Sequence, residues 1–90
     1  MEKQKVKKEK LIEVGKIDHF FTNINVAVVK VSKPLKPGDE ILIKGNTTDF
    51  KQKIESMQIE GKPVKEAKKG DMIGLKVKDK VRESDIVYKI

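Results

Sequence analysis

Ninety residues make one domain with one core, and a chain of this size buries only about 60–65% of the surface its unfolded form exposes. Cysteine is absent, which excludes a disulfide framework, thiolate catalysis and any Cys-ligated zinc or iron–sulfur centre. The formal charge of +7, from 21 Lys+Arg against 14 Asp+Glu, suits phosphate backbones, which basic surfaces attract through counterion release. Arg82 is the single arginine, however, whereas bidentate recognition of phosphate and base edges prefers the arginine fork. A Lys/Glu-rich surface is also the composition of hyperthermophile proteins, so charge alone is compatible with a nucleic-acid partner or with habitat.

Residues 1–10 alternate Lys, Glu and Gln around a single apolar Val6. That is too little hydrophobic surface to offset ordering entropy, which predicts a flexible basic arm. The charged start does not read as a signal peptide, and no apolar run approaches the roughly 18 residues of a membrane span. The expectation is a soluble, cytoplasmic protein with no membrane partner.

Residues 11–90 form the predicted domain. Short apolar segments at 11–20, 24–31, 40–44, 50–60, 72–78 and 86–90 are separated by turn residues at the spacing of an all-β sandwich or barrel. Ile73, Leu75 and Val77 alternate with Gly74, Lys76 and Lys78, which places one apolar face inward and one lysine face outward. The same alternation is expected of Ile86, Tyr88 and Ile90. Val26-Ala27-Val28-Val29 is apolar on both faces, so this strand is expected to have cover on each side or to sit where the barrel is tightest.

Lys36-Pro37-Gly38-Asp39 puts proline where φ is pre-set and glycine where φ is positive, a type II turn. Lys69-Gly70-Asp71 repeats the Gly-Asp punctuation, and Asp85 after Arg82-Glu83-Ser84 stands in the same relation to the segment that follows. An Asp in this place caps backbone N–H groups, so Asp39, Asp71 and Asp85 read as structural rather than catalytic or metal-binding.

Little here reads as chemistry. His19 is the single imidazole, and beside Phe20 and Phe21 it reads as a packed or half-exposed strand residue rather than a general base. The carboxylates are dispersed, with neither a catalytic pair nor metal-ligand spacing. Gly15-Lys16 is followed by Ile17 and lacks the upstream glycine of a phosphate-cradling loop, so no nucleotide is expected. The expectation is no enzyme, no cofactor and no metal. Phe20, Phe21, Phe50 and Tyr88 could stack on bases, but with so few aromatics most are expected in the core.

Four blocks, residues 35–45, 54–59, 67–75 and 81–87, resemble in their order domain two of elongation factor Tu and initiation factor two. With Gly15-Lys16-Ile17 opening the first strand, the resemblance covers residues 12–90. Through Thr47-Thr48-Asp49-Phe50 and Ser56-Met57-Gln58-Ile59 it extends to small stand-alone translation-factor-like proteins. Similar barrels also end some members of the collagenase-like peptidase family, a family associated with RNA hydroxylation. The resemblance implies an all-β fold, a six-stranded closed β-barrel of the translation-protein type, and a surface that touches ribosomal RNA. Met72 stands where aminoacyl-tRNA carriers have Asn, which argues against an aminoacyl pocket.

The functional expectation is therefore a non-catalytic module contacting ribosomal or other structured RNA, with Lys51, Lys53, Lys76 and Lys78 at outward positions as phosphate contacts. The alternative is a protein-docking module for an RNA-modifying or translation enzyme.

Overall fold

The computed structural model describes residues 11–90; the predicted arm at 1–10 lies outside the described residues. Eight strands form: β1 (Ile12–Phe21), β2 (Val26–Val31), β3 (Glu40–Lys44), β4 (Asp49–Lys53), β5 (Met57–Ile59), β6 (Lys62–Val64), β7 (Met72–Lys76) and β8 (Ile86–Lys89). They make a single sheet in the order β4-β3-β8-β1-β2-β7-β5-β6, and every neighbouring pair is antiparallel. The all-β expectation holds at that level, but the six-stranded closed barrel does not. The sheet has eight strands and its ladder stays open, with β4 and β6 as edges.

The difference has a specific cause. The predicted strand at 50–60 breaks because Ile54 turns its backbone toward a loop, accepting from Gly38 N–H at 2.8 Å and donating to the Asp39 carbonyl at 2.9 Å. The chain resumes as β5 and then reverses at Glu60 (φ 53) and Gly61 (φ 78). Two consecutive positive φ values suit a tight hairpin turn whose twist matches its strands. The turn lays β6 on β5 with Ile59 opposite Lys62 and Gln58 opposite Pro63. Pro63 cannot donate to a further strand, which is why it is tolerated on an edge.

One structural unit occurs three times. In Lys36–Asp39, Lys68–Asp71 and Arg82–Asp85 the last N–H donates to the first carbonyl, at 3.2, 2.9 and 3.1 Å. The Asp carboxylate then accepts the first residue's N–H, at 3.1, 2.8 and 2.8 Å. The third position has φ 98 at Gly38, 94 at Gly70 and 76 at Ser84, the left-handed value a type II turn demands. Each third residue also donates its N–H to a buried residue, Ile54 just past β4, Val31 or Ile17, at 2.8 Å in all three. That residue returns its own N–H to the Asp carbonyl at 2.9, 2.9 and 2.8 Å. These units act as clasps between a turn and a strand distant in sequence, and they make Asp39, Asp71 and Asp85 the structural caps expected of them.

The clasps also set the phase of the strands that follow. Two residues beyond each Asp, Ile41, Ile73 and Val87 are fully buried. In β7 this gives the expected face, with Ile73, Leu75 and Val77 inward and Lys76 and Lys78 exposed. In β8 it reverses the expected one: Val87 points in, Ile86 and Tyr88 are half-buried outside, and Ile90 is exposed. Tyr88 lies opposite Leu42 on the outer side of β3. β2 starts at Val26 rather than at 24 because Asn25 takes φ 55. Its Ala27 and Val29 join the core with Ile17, Ile41, Ile54 and Leu75, while Val26 and Val28 are half-buried on the outer face.

Candidate functional site

The four lysines singled out from the sequence are all exposed, and their grouping depends on how the ends of the sheet approach each other. β4 forms a backbone ladder with β3, yet the side chain of its Gln52 reaches across to the end of β7. Gln52 Nε2 donates to the Lys76 carbonyl at 2.9 Å, and its Oε1 accepts from the Lys78 N–H at 2.9 Å. A carboxamide offers one donor and one acceptor in the arrangement of a peptide group, so Gln52 stands in for the missing strand partner. The open seam is stapled by a side chain.

The staple brings Lys53, Lys76 and Lys78 to the walls of one groove of about 490 Å³, together with Gln52, Asn25 and Ser56. Lys51 stays outside that lining. One carboxylate, Glu55, shares the groove. Among the described residues the ion pairs are Lys36–Asp39 and Lys89–Asp39, both at 3.6 Å, and the contact between His19 Nδ1 and Glu83 Oε2 at 3.3 Å. None of them uses a groove lysine. Three lysines against one carboxylate make the groove positive, and its field favours carboxylates or phosphates by steering more than by affinity.

His19 is exposed on β1, held by Glu83 and set edge-on to Phe21 with ring centroids 4.5 Å apart. It shares a surface pocket with Phe20, Phe21, Thr22, Asn23 and Ile24. Among the described residues no group of three or more His, Cys, Asp or Glu is placed to hold a metal ion, and no helix is long and apolar enough to cross a membrane. Phe20 and Phe50 pack partly against the core, whereas Phe21 is exposed, so the aromatics are less buried than the sequence suggested. Gln52 escaped sequence reasoning because a Lys-Gln-Lys run reads as solvated surface; its one signal is that Gln occupies the opposite phase from Lys51 and Lys53.

No protein-family model matches the chain. Known proteins do. An uncharacterised protease of Methanocaldococcus jannaschii is 43% identical over 82 residues, 90% of this chain and 20% of the relative. A collagenase of Porphyromonas gingivalis is 42% identical over 80 residues, 87% of this chain and 19% of the relative. The chain thus spans about one fifth of the length of the curated relatives it matches. Among solved structures, the C-terminal domain of a Geobacillus thermoleovorans protein assigned to the U32 peptidases superposes with a TM-score of 0.84. It is 23% identical, and the match covers 88% of this chain and 92% of that one. At that identity the likeness is one of fold.

These similarities correct three expectations. The relatives are a protease and collagenases, and the structural neighbour is a peptidase C-terminal domain, so the resemblance to domain two of translation factors does not identify the chain. A translation-related RNA-binding module, with docking on a translation or RNA-modifying enzyme as its alternative, gives way to a peptidase-related domain. The expectation of no enzyme gives way to similarity to proteins named protease and collagenase, of which this chain matches about one fifth. Blocks shared by several β-barrels carried the resemblance, since Gly-Asp clasps before strands specify a fold rather than a task. Of the families named from the sequence, the collagenase-like peptidases are the one to which this chain is similar along nearly all of its length.

Proposed function

We propose that this chain serves as the small β-domain of a peptidase of the collagenase-like kind. It works beside a hydrolytic body corresponding to the four fifths of the relatives that lie outside the match. The observation that carries this reading is the 43% identity over 82 residues with the M. jannaschii protease. In this role the groove of Lys53, Lys76 and Lys78 holds a carboxylate-bearing stretch of polypeptide, and exposed ammonium groups there contribute orientation and on-rate more than affinity.

A domain exchange tests the proposal. The segment of the P. gingivalis collagenase that matches this chain is replaced by residues 11–90, and hydrolysis of collagen is compared with the parent. Retained hydrolysis supports a peptidase domain. A chimera that is folded by circular dichroism yet inactive refutes it.

A further inference from the structure

The outer face of β1, β2 and β7 carries four apolar side chains, Phe21, Val26, Val28 and Met72, among lysines. Residues directly opposite one another in adjacent strands project to the same side. One row holds Phe21, Val26 and Lys76; the next holds His19, Val28 and Gly74; a third holds Lys16, Lys30 and Met72. Phe21 and Met72, at opposite ends of the face, are 46% and 41% exposed, and Ile24 at the hairpin tip beside Phe21 is 57% exposed. Gly74 leaves the centre of this face flat: a Cβ there would meet Val26 Cγ1 at 3.6 Å. The reverse side of the same strands, with Ala27, Val29, Ile73 and Leu75, is completely buried. A strand apolar on both sides, as β2 is at Val26 to Val29, occurs where both sides are covered, and here Val26 and Val28 are only half-buried.

We infer that this face, centred on Phe21, Val26, Val28 and Met72, is where the domain docks on the hydrolytic body of its peptidase. The inference rests on the reading of the chain as a peptidase domain and adds the surface and the chemistry of the contact. Two observations select the occupant. The relatives carry four fifths of their length outside the segment matched here, so a body large enough to cover the face belongs to the same proteins. The face is rimmed by Lys16, Lys30 and Lys76, which calls for an apolar spot ringed by carboxylates on the other side. A second copy of this chain fits poorly. In a two-fold contact the same patch serves both partners, which would bring six lysines into one interface against the two Glu83 carboxylates beside His19.

Methionine oxidation reads the contact directly, because an exposed thioether is oxidised by dilute peroxide while a buried one is spared. Met72 is 41% exposed and Met57 only 1%, so Met57 is the internal control. In the chain alone Met72 should oxidise rapidly, and in the collagenase chimera roughly tenfold more slowly, with Met57 slow in both. Val28→Glu should leave the isolated chain folded and restore fast oxidation of Met72 in the chimera. Fast oxidation of Met72 in a chimera that still hydrolyses collagen overturns the docking face and leaves the peptidase reading standing. A folded but inactive chimera overturns both. Protection of Met72 in the chain alone, with a sedimentation mass of two copies, assigns the face to self-association and overturns the inference. The same exchange into the M. jannaschii protease supplies a second chimera should the first fail to fold.

Discussion

The carboxylate of Asp85 occupies the space that a side chain at Gly45 would need. Gly45 closes the β3–β4 hairpin by donating its N–H to the Thr48 carbonyl at 2.8 Å. Asp85 is buried and pinned by its clasp, accepting from Arg82 N–H at 2.8 Å and accepting on its backbone carbonyl from Ile17 N–H at 2.8 Å. Withdrawal of the carboxylate would break its bond to the Arg82 N–H. Gly45→Ala should therefore destabilise the domain by about 1–3 kcal/mol, the range of overpacking in a filled interior. Thermal denaturation checks this, and an unchanged midpoint would mean that Asp85 can leave without loss.

Ser84 carries φ 76 at the clasp position where the other two units have glycine. A left-handed conformation strains a residue with a Cβ, while glycine loses more chain entropy on folding. The strain outweighs that entropy, so Ser84→Gly should stabilise by about 0.5–1 kcal/mol. Gly38→Val, the reverse exchange at φ 98, should destabilise by about 1–3 kcal/mol. Urea denaturation of the two variants should shift the midpoint in opposite directions; shifts of the same sign would contradict the common geometry of the clasps.

Gln52→Leu removes the side-chain staple while keeping the size of the residue. It deprives the Lys76 carbonyl and the Lys78 N–H of their partners, at a cost of about 1–3 kcal/mol if water does not replace both bonds. Amide hydrogen exchange is the sharper measurement: the Lys78 N–H should exchange much faster in the variant, with β1 and β2 unchanged. Equal protection of Lys78 in both proteins would count against the staple.

Reversing Lys76 and Lys78 to Glu should change stability by no more than about 0.5 kcal/mol, because both side chains stand in water. In the collagenase chimera Lys78→Glu alone, which leaves Lys76 on the docking rim untouched, should raise KM for acidic peptides and leave kcat unaltered, the signature of lost uniform binding. An unchanged KM would remove the groove from the proposal while leaving the domain assignment intact.

How much of this was legible in the sequence depended on whether the cause was local. The bounds of β3, the alternation of Ile73, Leu75 and Val77, and the three Asp caps follow from neighbouring residues and were readable. The break after Lys53 was not, because its cause is the bonding of Ile54 to a turn fifteen residues earlier in the chain. β6 was hidden by Pro63, which argues against a strand everywhere but at an edge. The inward face of β8 was misread because two apolar sets compete there and the Asp85 clasp selects Val87. For the site, alternation placed Lys53, Lys76 and Lys78 outward, but only the approach of β4 to β7 through Gln52 gathers them in one groove.

The three clasps close loops of very different size, Asp39 to Ile54 being the shortest, Asp71 to Val31 longer and Asp85 to Ile17 the longest. Loop-closure entropy rises by about 0.6 kcal/mol with each doubling, so the longest costs about 1.2 kcal/mol more to close than one roughly four times shorter. Identical hydrogen bonds thus come with graded entropic costs, and loop closure taken alone favours the Ile54 clasp first, Val31 next and last the seating of Ile17 beneath Asp85, which joins β1 to the start of β8.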